Sequence, residues 1–169
     1  MNSTIRIAGI IEETIVDGPG IRFVVFAQGC RHNCPGCHNP DTHSFTGGVS
    51  VPISKIFEQI AKNPLLDGVT FSGGEPFEQS EPFGKLAIAL KEKGLNIITY
   101  TGYTFEEIIE QREKEPSWAL LLANTDLLID GPFLMEKRNL LLPFRGSENQ
   151  RIIRVQESLT KGQVITAQF

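Results

Sequence analysis

All three cysteines of this chain lie in one short run, Cys30-x-x-x-Cys34-x-x-Cys37. An odd number of thiols confined to one stretch does not build a disulfide framework. Three thiolates offered from a single loop instead point to a metal ion or an iron–sulfur cluster. Pro35, Gly36 and Pro40 keep the segment irregular, so the thiols are able to turn toward one centre. Clusters commonly take four protein thiolates. Three ligands on a four-iron cluster leave one iron open to a further ligand. The alternative is a zinc site completed by His32, His38 or His43. Structural zinc sites draw their ligands from two separated pairs, and there is no second cysteine pair here. Outside a zinc site, each of these histidines is a hydrogen-bonding or solvent-facing residue.

The segments around this run alternate between strand-like and helix-like patterns. Ile21 to Gln28 is an apolar, β-branched and aromatic run that leads into the cysteines. Ile53 to Lys62 has helical spacing, with Ile53, Ile56, Phe57 and Ile60 on one face. Val69 to Phe71 is a strand ending at Ser72-Gly73-Gly74-Glu75-Pro76. Phe83 to Lys93 is a helix stopped by Gly94, and Leu95 to Tyr100 a strand ending at Thr101-Gly102. Thr104 and Glu107 form a capping box for a helix from Phe105 to about Glu113. A second short helix spans Ser117 to Ala123. Leu127 to Ile129 runs into Asp130-Gly131, and Ile152 to Val155 is the last strand. Strands alternating with helices imply parallel pairing, with ligands at the carboxyl ends of the strands. Four strand ends, carrying Cys30, Gly73-Gly74-Glu75, Thr101-Gly102 and Asp130-Gly131, are therefore expected to meet at one face.

The 169 residues suit one domain, expected to span residues 1–169. The net charge of -4 argues against a nucleic-acid binder. The local basic group Arg138, Arg145, Arg151 and Arg154 is read as a solvated rim, with a face for a partner or an anionic ligand as the alternative. No signal peptide or membrane-length apolar run is found, which gives a cytoplasmic expectation with no membrane partner.

Cys-x3-Cys-x2-Cys after a first strand, followed by Gly-Gly-Glu-Pro after a second, resembles the radical S-adenosylmethionine superfamily. Asp17-Gly-Pro-Gly-Ile-Arg22 resembles its glycyl-radical activating branch. Cys37-His-Asn-Pro40, Tyr100-Thr-Gly-Tyr-Thr-Phe-Glu-Glu107, Asp130-Gly-Pro-Phe133 and Phe144-Arg-Gly-Ser-Glu-Asn-Gln-Arg151 resemble the anaerobic ribonucleoside-triphosphate reductase activating proteins. The blocks run from about Asp17 to Arg151. Gly36 departs from the superfamily, which often has an aromatic residue just before the third cysteine, so no residue is assigned to adenine.

The resemblance implies an α/β fold, a partial (β/α) barrel of mostly parallel strands open on one side. It implies an oxidoreductase with a [4Fe-4S] cluster on Cys30, Cys34 and Cys37 and S-adenosyl-L-methionine on the open iron. Gly73, Gly74, Glu75 and Pro76 would hold the methionine end, Glu75 accepting from its ammonium. Thr99, Thr101 and Gly102 would reach its ribose or carboxylate. The chemistry belongs to the cluster and cofactor, so no side chain is assigned as catalytic. Reductive cleavage would give a 5′-deoxyadenosyl radical that takes a hydrogen atom from a glycine on a partner, the glycyl-radical subunit of anaerobic ribonucleoside-triphosphate reductase. A flavodoxin-type protein would donate the electron. Asp17 and Arg22 are read as turn residues or a carboxylate partner, and Asp130 as a cap or part of a cation site. Ser147, Asn149, Gln150 and Arg151 are anchors or surface. Trp118 is read as core. Two rivals remain open at this point: a small-molecule radical enzyme of the deazapurine-synthase kind, and a zinc-binding module without catalysis.

Overall fold

The computed structural model describes residues 3–32, 34–37 and 40–169. His38 and Asn39, named above, lie outside the described residues. Seven strands form one sheet: β1 (Thr4–Thr14), β2 (Arg22–Ala27), β3 (Val49–Pro52), β4 (Gly68–Gly73), β5 (Asn96–Tyr100), β6 (Leu127–Asp130) and β7 (Arg151–Arg154). Five helices accompany them: α1 (Ile53–Ala61), α2 (Ser80–Glu92), α3 (Phe105–Gln111), α4 (Pro116–Ala123) and α5 (Val155–Lys161).

The strand order is β3-β1-β2-β4-β5-β6-β7. The four central strands, β2, β4, β5 and β6, are parallel, as the alternation of strands and helices predicts. The outer strands are not. β1 runs antiparallel to both β2 and β3, and β7 antiparallel to β6. The edge strands β3 and β7 do not pair with each other, so the sheet is open and no closed barrel forms. The fold is a mixed α/β sheet with a parallel centre and open edges, in keeping with the expected α/β class.

Side chains of a strand point alternately to the two faces of its sheet. Phe23, Val25, Phe71, Ile97, Leu128 and Ile153 point to one face. There they share a core with Ile56 and Ile60 of α1, Leu86 and Leu90 of α2, Ile108 of α3, Leu121 of α4 and Val155 of α5. All five helices thus bury their apolar sides against the same face. The other face carries a smaller cluster, Ile98, Ile129, Ile152 and Ala167, next to Tyr100 and Phe144. This helix-free face is where polar groups have room.

Arg22 fills the lower part of that face. It is almost fully buried, and its hydrogen bonds go to a hydroxyl and to backbone carbonyls. Its Nε donates to Thr70 Oγ1 (2.8 Å), Nη1 to the Pro19 carbonyl (3.0 Å), and Nη2 to the carbonyls of Val69 (3.0 Å) and Asn96 (2.9 Å). Burial lowers its pKa to about 10, and it stays charged at neutral pH. Arg22 therefore ties the starts of β2, β4 and β5 together. Replacing it leaves several carbonyls buried without donors, each costing about 1–3 kcal/mol. Arg22→Met is expected to lower the unfolding free energy by about 3 kcal/mol or more, read from urea denaturation.

Candidate active site

The carboxyl ends of β2, β4, β5 and β6 open onto one cavity of about 510 Å³ on the helix-free face. Cys30, Cys34 and Cys37 all line it, and so do Gly73 and Gly74, Thr101 and Gly102, and Gly131. The four strand ends named from sequence thus meet at one site. Asp17 and Phe26 complete one wall, and Phe144, Arg145 and Gln150 another.

The cysteine loop is seated on the end of β4. Gly74 N donates to the Ala27 carbonyl (2.7 Å) and Glu75 N to the Gly29 carbonyl (2.8 Å). A Cβ on Gly74 would lie 2.4 Å from the Gly29 carbonyl oxygen. The glycine pair is thus required by the close approach of the cysteine loop's own backbone. Gly29 N and Cys30 N donate to the carbonyls of Thr42 (2.6 Å) and His43 (3.1 Å), which tie the loop's two limbs together. The terminal methyl of Met135 packs where a Cβ on Gly36 would be, so a larger residue before Cys37 would have to displace it.

Glu75 is fully buried and is not among the cavity-lining residues. Its Oε1 accepts from His32 Nε2 (2.6 Å), Gly102 N (2.8 Å) and Thr101 Oγ1 (3.0 Å). Its Oε2 accepts from Phe77 N (3.1 Å). The carboxylate expected to meet a cofactor ammonium is instead bonded inward. Pro76 is buried and opens a short 3₁₀ turn over Pro76–Gln79. Thr99 is fully buried and shares a hydrogen bond with Thr125 (2.9 Å). Its alternation places it on the helix side, away from the cavity, so the expected ribose contact does not extend to it.

Among the histidines, His32 is the hydrogen-bonding residue that the sequence allowed. Burial lowers its pKa, but the bond and charge of Glu75, with Glu78 and Glu107 nearby, outweigh burial and raise it overall. Two orphaned atoms, His43 Nε2 and Arg145 Nε, belong to residues lining the cavity. Arg145 Nη1 donates to the Gln150 carbonyl (3.0 Å), and the side chain makes no ion pair among the described residues. The solvated-rim expectation fails for Arg145, and no single-residue pattern marked it out.

The donor set fits a cluster. Three thiols share one roomy cavity. Among the described residues no three His, Cys, Asp or Glu side chains are gathered closely enough to hold a single metal ion.

Comparison with known proteins agrees with this donor chemistry. A family model described as "4Fe-4S single cluster domain" matches residues 16–153. The anaerobic ribonucleoside-triphosphate reductase-activating protein of Haemophilus influenzae is 33% identical over 150 residues, covering 83% of this chain and 92% of that protein. The chain belongs to the radical S-adenosylmethionine activating proteins. The activating protein of Vibrio cholerae is 32% identical over the same shares of the two chains. The pyruvate formate-lyase-activating enzyme of Clostridium pasteurianum is 39% identical over 117 residues, covering 64% of this chain and 49% of that one. The crystal structure of QueE from Escherichia coli covers 60% of this chain and 53% of its own, at 17% identity and a TM-score of 0.49. Membership displaces the zinc-module reading. Among the described residues no helix is long and apolar enough to cross a membrane.

The family's Asp130 and Arg151 blocks turn out to brace the site's far wall. Asp130 Oδ2 accepts from Phe105 N (2.8 Å), capping α3 across the sheet and not the turn that follows β6. Arg151 pairs with both Asp130 oxygens and with the exposed Glu106. The carboxylates hold the Arg151 pKa above its usual value, and Arg151 holds that of Glu106 below. The Ser147, Asn149 and Gln150 side chains bond to the loop backbone at Leu134, Pro132 and Gly131. They are loop braces, not surface. Arg151→Ala leaves a carboxylate buried without its cation and is expected to cost about 3 kcal/mol in chemical denaturation. Glu106→Ala, at the exposed end of the network, is expected to cost no more than about 0.5 kcal/mol.

Proposed function

We propose that Cys30, Cys34 and Cys37 hold a [4Fe-4S] cluster, that the cavity beside them binds S-adenosyl-L-methionine, and that the protein installs a glycyl radical on a partner enzyme. The observation that carries this is the sharing of one 510 Å³ cavity by the three thiols and the ends of the central parallel strands. Among the relatives are proteins named for activating anaerobic ribonucleoside-triphosphate reductase and pyruvate formate-lyase. The reductase is the proposed partner, because its activating proteins match over most of their own length. A flavodoxin-type protein is the proposed electron donor.

When bound, the cluster and cofactor supply one-electron cleavage chemistry that ends in removal of a hydrogen atom from a glycine Cα. The chain's own residues hold and shield. The thiols grip one side of the cluster. Gly73 and Gly74 form the floor, and Thr101 and Gly102 the adjoining wall. The helix-free face of the open sheet acts as the interior of the proposed partial barrel. Phe26, Phe133 and Phe144 give that interior apolar walls that keep water away.

Arg145 is the proposed partner of the cofactor carboxylate. It is the arginine in the cavity lining, and its Nε has no hydrogen-bond partner. Buried polar groups normally find one. The preceding residue, Phe144, has a φ of 63°, and its carbonyl accepts from Tyr100 Oη (2.7 Å). Non-glycine residues rarely adopt that conformation, and it persists where surrounding contacts hold it.

The decisive experiment incubates the reduced, cluster-loaded protein with S-adenosylmethionine and the reductase without oxygen. Electron paramagnetic resonance is expected to show a glycyl radical on the reductase. Cys34→Ala is expected to give a colourless protein with neither iron nor radical. Cofactor cleavage without a radical on the reductase would point to a small-molecule enzyme. For the arginine, calorimetry on cluster-loaded protein compares S-adenosylhomocysteine with its decarboxylated analogue. Arg145→Gln is expected to weaken the first roughly tenfold, as loss of a charge-assisted bond implies, and to leave the second unchanged. Equal effects on both ligands would remove Arg145 from the carboxylate.

A further inference from the structure

The residue two places after Cys30 is built into the fold more firmly than a loop histidine requires. The His32 side chain is largely buried and bonded to a buried carboxylate. Its Nε2 lies 2.6 Å from Glu75 Oε1, with side-chain exposures of 16% and 0%. Two residues after β5 are shaped around its ring. A Cβ on Gly102 would stand 2.5 Å from His32 Cδ2, so the ring lies directly on the backbone after β5. Tyr103 packs edge-on against it, with ring centroids 4.4 Å apart. Tyr103 is itself fixed, its Oη donating to Glu78 Oε1 (2.6 Å).

A second side-chain tether of this half of the loop is much weaker. Arg31 reaches Glu78 at 3.1 Å, but its side chain is 73% exposed. Exposed ion pairs contribute little. A short bond to a fully buried carboxylate contributes more, because an unmatched buried acceptor is costly. Glu75, for its part, already accepts from the backbone N–H groups of Phe77 and Gly102 and the hydroxyl of Thr101. The carboxylate is thus the junction between the cysteine loop, the end of β4 and the end of β5.

We propose that His32 and Glu75 form a positioning link that locks the cysteine loop onto the ends of the two central strands, so that Glu75 serves the seat of the cluster and not the ammonium of the cofactor. The link rests on the reading of the three cysteines as cluster ligands only for its effect on iron. Its effect on the loop stands without any cluster. His32 and Glu75 are positioning residues. Each acts on the reacting centre through the cysteines.

The test uses the full chain with and without its cluster. In the cluster-free protein, amide hydrogen exchange across residues 29–37 is followed by mass spectrometry. His32→Ala is expected to raise exchange there roughly tenfold, and His32→Gln, which can place a donor near the Nε2 position, to restore slow exchange. In the cluster-loaded protein, anaerobic transfer of iron to a chelator is expected to run roughly tenfold faster in His32→Ala and in Glu75→Gln. The double variant is expected to be no faster than the singles, since both changes remove one bond. Affinity for S-adenosylhomocysteine is expected to stay within about twofold in the variants that keep their cluster. Glu75→Gln is the mild change that keeps the side chain's size, and thermal melting shows whether each variant is folded. Unchanged exchange in His32→Ala, or multiplying rates in the double variant, overturns the link. So does a Glu75→Gln protein that keeps its iron but loses ligand affinity. A wild-type protein that takes up no cluster while its exchange pattern obeys the prediction overturns the proposed function and leaves the link standing.

Discussion

Two backbones approach each other at the end of β4 as closely as polypeptides allow, and the site is organised around that approach. The Gly73-Gly74 segment lies against Ala27 and Gly29, the last residues before the cysteines. Two N–H groups of β4's extension bond to carbonyls of β2's extension. This is the parallel pairing of β2 with β4 carried past the nominal strand ends. Side chains larger than hydrogen would pry the two apart. The cysteine loop therefore inherits the rigidity of the sheet centre, the stiffest part of an α/β structure. Glu75 then adds the adjoining strand, β5, to the same junction through Thr101 and Gly102.

The one-sided placement of the helices has a second consequence. Apolar matter is concentrated on one face of the sheet, so the opposite face is free for polar groups. Its lower half holds Arg22, four of whose five N–H donors go to carbonyls and Thr70. Its upper half opens into the cavity. A buried guanidinium is an expensive filler. Here it works as a cross-brace, with planar geometry that reaches three strand starts at once.

Much of this was legible in the chain, and the gaps have physical causes. The four central strands β2, β4, β5 and β6 stand out because buried parallel strands are short apolar runs bounded by turns. The capping box at Thr104 and Glu107 is a local device, and it forms as written. β1 escaped notice because Gly9 and the Glu12-Glu13 pair interrupt its alternation, and its outer half is exposed. β3 is four residues long with little burial. Val155 is β-branched and reads as strand, yet tertiary packing makes it the first residue of α5. The convergence of four strand ends follows from topology and was recovered. The aim of the Glu75 carboxylate was not, because the letters Gly-Gly-Glu-Pro are the same whether it faces a ligand or a neighbouring loop. Arg145 was hidden for a related reason: charge alone does not tell a rim from a wall.

Asp130 and Arg151 are direct partners in the antiparallel register of β6 and β7. Between them the chain makes a long excursion without a strand or α-helix, residues 131–150, and returns to the same rung. The ion pair thus acts as a clasp at the neck of that excursion. Beyond the neck the inner side of the excursion stays tied to the sheet, the Phe144 carbonyl accepting from Tyr100 Oη. Lengthening such a segment costs little, about 0.6 kcal/mol for each doubling. The excursion carries Leu140 and Leu141, both strongly exposed, at its outer reach and Arg145 at its inner one. One segment can therefore be reshaped on the outside to suit different surfaces while its inner residues keep their stations.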